Sequence, residues 1–159
     1  MRQPAPDRPH ELRLDLPAAH SAERMARAVL RQFARRENLP AGEIETLEFV
    51  ASEMLSNAVD HGGGRRAMEE AEVQGGVRMG LLLVVHEHGW TLSVADQGGG
   101  DPDEMARRLS HGSAPDLEED RGRGFFLVKQ MVDALHVGRS PDGRGLEFTA
   151  VRTWAGRRP

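Results

Sequence analysis

The sequence contains no cysteine among its 159 residues. This absence excludes a disulfide framework, a thiolate zinc site and a cysteine nucleophile, and it is consistent with a reducing cytoplasm. Lysine occurs only once, at Lys129, so a lysine-containing phosphate loop is excluded as well. No segment approaches the run of about 20 apolar residues that a membrane helix requires. We therefore expect a cytoplasmic protein that has no membrane partner.

A strong basic charge is also lacking, because the formal net charge is -4. Without a positive field, direct binding to nucleic acid is not expected. The length and the hydrophobic content of 38% fit one compact domain. We place this domain at residues 10–155, after a polar, proline-spaced N-terminal tail over residues 1–9.

The first half of the chain has clear hydrophobic periodicity. Residues 11–16 alternate apolar and charged side chains, which is the pattern of a half-buried strand. Apolar residues at helical spacing then predict one helix from residue 21 to about 37 and a second from residue 40 to 62–64. Apolar runs over residues 77–87 and 91–96 predict a pair of strands joined by a short turn.

The second half begins with a long connection. A third helix is predicted over residues 125–135, and two strands over residues 136–140 and 146–154 flank a Pro-Asp-Gly turn. The whole order is β-α-α-β-β-lid-α-β-β. It predicts an α/β (α+β) fold, a two-layer sandwich in which helices cover one face of a mixed β-sheet.

Glu53 and Asn57 lie four residues apart in the second predicted helix, shortly before its end near Gly62. At this spacing both side chains are on one face of the helix, one turn apart. Such a pair is often an ordinary surface hydrogen bond. The functional alternative is that the amide oxygen binds Mg²⁺, which prefers hard oxygen ligands, while the carboxylate acts as a general base.

Asp96 ends a predicted strand and is followed by Gln97 and three glycines, of which Gly98 and Gly100 are the first and last. An acid followed by glycines often forms a simple turn. The glycines would also let the backbone approach a ligand closely. Residues 101–121 then form a connection that is long for a compact domain, so we interpret it as a functional lid.

A second glycine pair, Gly122 and Gly124, precedes Phe125, where the third helix is predicted to begin. The backbone N–H groups and the helix dipole at such a start can bind phosphate. Arg121 and Arg123 would add positive charge there, or they are solvated loop residues that contribute little.

The three motifs, in this order, resemble the nucleotide site of the GHKL (Bergerat-fold) ATPases, and the resemblance covers residues 11–154. This superfamily includes gyrase, heat-shock chaperone ATPases, histidine kinases and bacterial anti-sigma-factor serine kinases. The short chain and the sequence from Asn57 to Gly62 are most similar to the anti-sigma-factor kinases. We do not expect the dimerisation hairpin of a sensor histidine kinase or the transducer domains of gyrase-like enzymes.

The resemblance implies a site for ATP and Mg²⁺. It implies Glu53 as the general base, Asn57 as the magnesium ligand and Asp96 as the acceptor of the exocyclic amine of adenine. The other implied nucleotide contacts are Gly98, Gly100, Arg121, Gly122, Arg123, Gly124 and Phe125. Many relatives carry Gly-Thr at the start of the last long strand, where the hydroxyl assists adenine recognition. Here the matching pair is Gly145 and Leu146, so this auxiliary contact is in question.

The function implied by the resemblance is that of an anti-sigma-factor serine/threonine protein kinase. Such a kinase binds a sigma factor in one state and phosphorylates a small antagonist protein in another, and the resemblance also allows a homodimer. The alternative is an ATP-binding regulatory protein that sequesters a partner without transferring phosphate. The presence of Glu53 favours the kinase, whereas Leu146 leaves room for a weakened enzyme.

Overall fold

The computed structural model describes residues 10–62, 76–110 and 120–154, with the side chains of all these residues except 61–62 and 120–123. Within these ranges the chain forms five strands and four helices. In chain order they are β1 (His10–Pro17), α1 (His20–Arg36), α2 (Ala41–Gly62), β2 (Arg78–His86), β3 (Gly89–Ala95), α3 (Pro102–Ser110), α4 (Asp120–Met131), β4 (Ala134–Arg139) and β5 (Leu146–Thr153).

The strands form a single sheet with the order β1-β2-β3-β5-β4. Every described pairing is antiparallel, so the prediction of a mixed sheet is wrong in this respect. The reason lies in the connection from β1 to β2. It contains two helices joined by a short loop, and such neighbours run antiparallel. The second helix therefore returns the chain to the end at which β1 finished, and β2 must run back along β1.

The hydrophobic core lies on one face of the sheet, which confirms the predicted two-layer α+β architecture. One row of apolar side chains crosses all five strands, because Leu14 pairs with Leu81, Leu81 with Val94, Val94 with Phe148, and Phe148 with Val137. The helices cover this face with fully buried side chains, including Leu30, Leu47, Met54 and Leu55. Residues two apart on a strand share a face, so the alternation seen in the sequence decides which side is buried.

The predicted lid contains a helix. α3 begins directly after Asp101, whose side chain accepts a hydrogen bond from the backbone N–H of Asp103 at 2.9 Å. Pro102 occupies the first helical position, where its missing N–H costs nothing. Met105 is the buried residue of this helix. Residues 111–119 of the predicted lid lie outside the described ranges, as do the predicted tail over residues 1–9 and residue 155.

The boundaries of α4 differ from the prediction at both ends. The helix begins at Asp120 and ends at Met131, so the glycine pair lies in its first turns instead of before it, and Leu135 belongs to β4. The early end has a tertiary cause. The backbone N–H of Asp133 donates to the carbonyl of Val151 at 2.8 Å, and its carboxylate accepts from the hydroxyl of Thr153 at 2.7 Å. These bonds bring the chain into the edge of the sheet.

No helix in the described part of the chain is long and apolar enough to span a membrane.

Candidate functional site

Glu53 and Asn57 lie on α2, the helix that packs across the middle of the sheet. Asn57 is buried, with 8% of its surface exposed, and Glu53 is half-buried. Burial raises the pKa of the Glu53 carboxyl above its ordinary value, and the nearby charge of Glu23 raises it further. The efficiency of a general base increases as its pKa approaches the working pH, so this environment suits that role.

Gly124 brings the start of α4 into direct contact with Glu53. A Cβ atom added at Gly124 would lie 2.2 Å from Oε2 of Glu53 and 3.3 Å from its Cδ. No side chain fits in that space while the carboxylate keeps its position. The first and third motifs, which are about 70 residues apart in sequence, therefore meet in the fold.

Phe125 anchors the start of α4 in the core. It is 6% exposed, and its ring stacks on that of Phe148 with centroids 4.7 Å apart and an angle of 24° between the planes. Because its side chain is committed to the core, only the backbone of this predicted site residue is suited to face a ligand.

Gly122, Arg121 and Arg123 lie in the first turn of α4, whereas the sequence predicted them in a loop before the helix. The side chains of the two arginines lie outside the described part of the structure. The first four N–H groups of a helix have no partner within it, so a phosphate site at this position remains a prediction of the motif.

Asp96 follows β3 and is held against the start of β5. Its Oδ1 accepts hydrogen bonds from the backbone N–H of Gly98 at 3.0 Å and of Leu146 at 3.1 Å. Its own N–H donates to the carbonyl of Leu146 at 2.9 Å, and the residue is only 5% exposed. Two backbone donors on one oxygen fix the orientation of this carboxylate.

Gly145 lies directly against Asp96, a contact that was not predicted from the sequence. A Cβ atom at this position would lie 2.2 Å from Oδ1 of Asp96 and 2.4 Å from its carbonyl oxygen. At the sequence level Gly145 was identified only with Leu146, as the pair that matches Gly-Thr in the resembled family, without a contact to Asp96. Its contact with Asp96 depends on the pairing of β3 with β5, which joins residues about 50 positions apart.

A cavity of about 180 Å³ lies beside Asp96. Three of the predicted site residues line it: Asp96, Gly98 and Gly100. The other residues that line the cavity were not predicted. They belong to the glycine segment (residues 98–100) and the residue after it, to α3 and to β5: Gly99, Asp101, Glu104, Met105, Arg108 and Leu146. This volume is below the about 300–1,000 Å³ of typical small-molecule sites, so it would hold only part of a nucleotide. Glu53, Asn57 and Gly124 do not line it.

The glycine segment has a conformation that requires glycine. Gly99 and Gly100 have φ angles of 76° and 95°, which other residues rarely adopt. A Cβ atom at Gly100 would also lie 3.1 Å from Cδ1 of Leu146. The carbonyl of Gly100 accepts a hydrogen bond from Nη1 of Arg139 at 3.0 Å, so β4 holds the segment from outside.

The turn between β4 and β5 is fixed by Asp142. Its carboxylate accepts hydrogen bonds from the N–H of Arg144 at 2.9 Å, from Nε2 of Gln97 at 3.0 Å and from the hydroxyl of Ser140 at 2.7 Å. These bonds lower the pKa of Asp142 to about 2. The Ser140 hydroxyl in turn accepts from the N–H of Gly145 at 2.8 Å. The network therefore holds Gly145 in place beside Asp96.

The candidate metal ligand is the side-chain amide oxygen of Asn57. The described residues contain no group of three His, Cys, Asp or Glu side chains that could hold a metal ion. The amide oxygen of Asn57 supplies one hard oxygen ligand. It fits Mg²⁺ that arrives with a nucleotide, since this ion takes most of its ligands from phosphates and water.

Comparisons with known proteins place this chain in a family. Residues 16–150 match the family model of the histidine kinase-like ATPase domain. The chain is 28% identical to an anti-sigma F factor of Bacillus licheniformis over 134 residues, covering 84% of this chain and 86% of that protein. It is also 28% identical to the anti-sigma F factor of Clostridium acetobutylicum over 147 residues, covering 92% and 95%.

Two solved structures share the fold. One is the SiaB-SiaC complex of Pseudomonas aeruginosa, with a TM-score of 0.63 and 19% identity over 88% of this chain and 89% of that one. The other contains the RsbU and RsbW domains of Rv1364c from Mycobacterium tuberculosis, with a TM-score of 0.58 and 20% identity over 94% and 33%. The family description implies that the chain binds ATP. The matched segment includes Glu53, Asn57, Asp96, Gly124 and Gly145, and the chain therefore belongs to the histidine kinase-like ATPase domain family.

Proposed function

We propose that this protein is an anti-sigma-factor serine/threonine protein kinase that binds Mg-ATP, sequesters a sigma factor and phosphorylates a small antagonist protein. The observation that carries the proposal is the half-buried Glu53 carboxylate in contact with Gly124, inside the matched ATPase segment. The relatives named anti-sigma F factor support the biological role, because the alignments cover most of both chains. A sigma factor as partner would place the protein in the cytoplasm.

The proposed reaction transfers the γ-phosphoryl group of ATP to a serine or threonine hydroxyl. A bond forms between the hydroxyl oxygen and the γ-phosphorus, and the bond from that phosphorus to the β,γ-bridging oxygen breaks to release ADP. Glu53 takes the hydroxyl proton, and the increased proton affinity that burial gives its carboxylate supports this role. Mg²⁺, held with the help of Asn57, would neutralise phosphate charge.

Adenine is proposed to bind in the cavity beside Asp96. The carboxylate would accept a hydrogen bond from the exocyclic amine of adenine, and the backbone N–H groups of Gly98 and Leu146 fix the orientation of the carboxylate. Guanine carries a carbonyl oxygen where adenine carries the amine. This oxygen and the Asp96 carboxylate are both hydrogen-bond acceptors and would repel each other, so GTP should bind poorly. Leu146 and Met105 would supply apolar surface for the base.

The phosphates would then extend from this cavity toward Glu53 and the start of α4. The backbone of Gly122, Arg123 and Gly124 would donate to them, with Arg121 and Arg123 adding charge. We propose that residues 10–155 act as one kinase domain. A second copy of the chain is a further proposed partner, because the resemblance to the anti-sigma-factor kinases also allows a homodimer.

Leu146 supports a second candidate function, in which the protein binds ATP and sequesters a partner without phosphotransfer. Leu146 is 4% exposed and lines the cavity, so it offers no hydroxyl to the adenine at the position where the resemblance implies a threonine in many relatives. Weaker adenine binding would lower the occupancy of the site by ATP, and the second function needs only this binding and no turnover.

One experiment separates the two functions. The protein is incubated with magnesium, γ-labelled ATP, a sigma factor and a candidate antagonist, and all chains are analysed by mass spectrometry. The kinase predicts phosphate on a serine or threonine of the antagonist, followed by release of the modified antagonist. Binding of a partner that depends on ATP but leaves no phosphate on any chain selects the second function.

A further inference from the structure

One face of α3 lines the cavity beside Asp96. This face consists of Asp101, which directly precedes the helix, and of Glu104, Met105 and Arg108. Each of these residues lies three or four positions from another, so their side chains are on the same side of the helix. Met105 is buried, whereas the charged residues on either side of it are exposed. The helix thus presents to the cavity one apolar side chain between charges of both signs.

The charges around the cavity are unbalanced. Asp96, Asp101 and Glu104 supply three carboxylates, whereas Arg108 is the only cation among the described residues that line the cavity. A nucleotide brings further negative charge on its phosphates. Like charges repel each other more strongly in a partly enclosed cavity than in bulk water. Arg108 is the lining residue that fits a phosphate, because a guanidinium can donate two parallel N–H bonds to phosphate oxygens.

The end of α3 that carries Arg108 lies against α4. Nζ of Lys129 on α4 donates a hydrogen bond to the carbonyl of Leu109, the residue that follows Arg108. The first turn of α4 holds the second glycine pair, toward which the phosphates are proposed to extend. Arg108 lies three residues beyond Met105 in this direction, which is about 4.5 Å along the helix axis. Its guanidinium is therefore at the α4 end of the cavity.

We propose that Arg108 is a nucleotide-binding residue that contacts the α-phosphate and exchanges Glu104 for it, an inference that rests on the proposed binding of adenine beside Asp96. Nη2 of Arg108 donates a hydrogen bond to Oε1 of Glu104 at 2.9 Å. The two side chains are 56% and 54% exposed, and an ion pair so exposed contributes little to stability. The guanidinium can therefore change partners at little cost. The Glu104 carboxylate competes with the phosphate and limits the affinity for nucleotide.

The two members of this ion pair should have opposite effects on nucleotide affinity. Arg108→Gln should weaken ADP about 3- to 10-fold, because it removes a charged but partly solvated hydrogen bond. Glu104→Gln should strengthen ADP about 2- to 5-fold, because it frees the guanidinium and removes a repelling charge. If the pair only stabilised α3, both substitutions would change the affinity in the same direction.

Calorimetric titrations of the full chain with ADP, AMP and adenosine test the contact. Adenosine has no phosphate, so the parent and Arg108→Gln should bind it equally. AMP carries the α-phosphate alone, and its affinity should show most of the loss measured with ADP. Arg108→Lys keeps the positive charge but not the planar pair of donors, so it should recover only part of the loss.

Two neighbouring residues of α3 provide matched controls. Asp103 and Arg107 are exposed and are not among the residues that line the cavity. Asp103→Asn and Arg107→Gln change the same net charges and should leave ADP affinity nearly unchanged at about 0.15 M salt, where distant surface charges are screened. Thermal unfolding of every variant checks that the fold is retained.

Three results would overturn the inference. They are an Arg108→Gln variant that binds ADP as tightly as the parent, a Glu104→Gln variant that binds it more weakly, and an equal loss for ADP and adenosine in Arg108→Gln. All of these are binding measurements. A parent that binds ADP but transfers no phosphate would therefore contradict the proposed kinase and leave the role of Arg108 standing. A parent that binds no adenine nucleotide would contradict both.

Discussion

Gly124 and Glu53 are so close that a Cβ atom on the glycine would lie 2.2 Å from Oε2 of the carboxylate. The contact joins the first turns of α4 to the middle of α2. The position of the proposed base therefore depends on how α4 begins, and the segment that precedes α4 in sequence is the predicted lid. A side chain at position 124 would displace the carboxylate of Glu53 from its position.

Gly124→Ala should reduce phosphotransfer about tenfold or more, because a misplacement of about 1 Å can cost a factor of 10². The atom met by the new methyl group is the end of a flexible side chain, so Glu53 should move and the fold should survive. Phosphotransfer and thermal unfolding are both measured. Gly42→Ala is the matched control, because a Cβ atom at this helical glycine meets nothing within 4 Å. A Gly124→Ala variant as active as the parent would contradict the contact.

Gly145→Ala should destabilise the protein by about 1–3 kcal/mol and weaken ATP binding. Here the new Cβ atom would meet the carbonyl oxygen of Asp96 at 2.4 Å, and backbone cannot rotate away as a side chain can. Chemical denaturation and calorimetry with ATP check the two effects. Gly138→Ala, in the neighbouring strand β4 and with open space around its Cβ position, should leave both nearly unchanged.

Asp96→Asn should weaken ATP about 10- to 100-fold, the range expected for loss of a hydrogen bond to a charged group, at about 1.5–3 kcal/mol. Inorganic triphosphate lacks the base, so its affinity should change little. Calorimetric titrations with both ligands make the comparison. An equal loss for ATP and triphosphate would place the role of Asp96 outside adenine recognition.

The carboxylate of Asp142 should make the free energy of unfolding depend on pH. Its pKa in the folded protein, about 2, is below its ordinary value of 3.8. A carboxyl with a lowered pKa stabilises the fold at pH values above the ordinary pKa, and this contribution is lost as the pH falls from about 4 to 2. The difference in unfolding free energy between the parent and Asp142→Asn should therefore be largest above pH 4 and disappear near pH 2. A difference that stays constant over this range would show that the carboxylate charge is not involved, and Glu45→Gln serves as the control.

The sequence predicted most of the secondary structure because local periodicity carries that information. The alternation over residues 11–16 became β1, and the helical spacing from residue 40 became α2. The end of α4 could not be predicted in the same way. It is determined by bonds from Asp133 to Val151 and Thr153, which are distant in sequence.

The candidate site also combines features that the local sequence indicates with features that depend on contacts distant in sequence. Glu53, Asp96 and the glycines of the second and third motifs were singled out from residue type and spacing, and their proposed roles come from the resemblance to the ATPase family. The contact of Gly145 with Asp96 was not predicted, because it depends on how β3 and β5 pair. A glycine in sequence shows that a side chain is absent but does not show what occupies the space.

The proposed function depends most on Glu53 as the base of the phosphotransfer reaction. The most direct measurement is single-turnover transfer of labelled phosphate from Mg-ATP to a serine or threonine of the antagonist, compared between the parent and Glu53→Gln. We predict that the variant binds ATP with the affinity of the parent and transfers phosphate about 10²-fold more slowly or less. Equal transfer rates in the two proteins, at equal ATP occupancy, would contradict the claim.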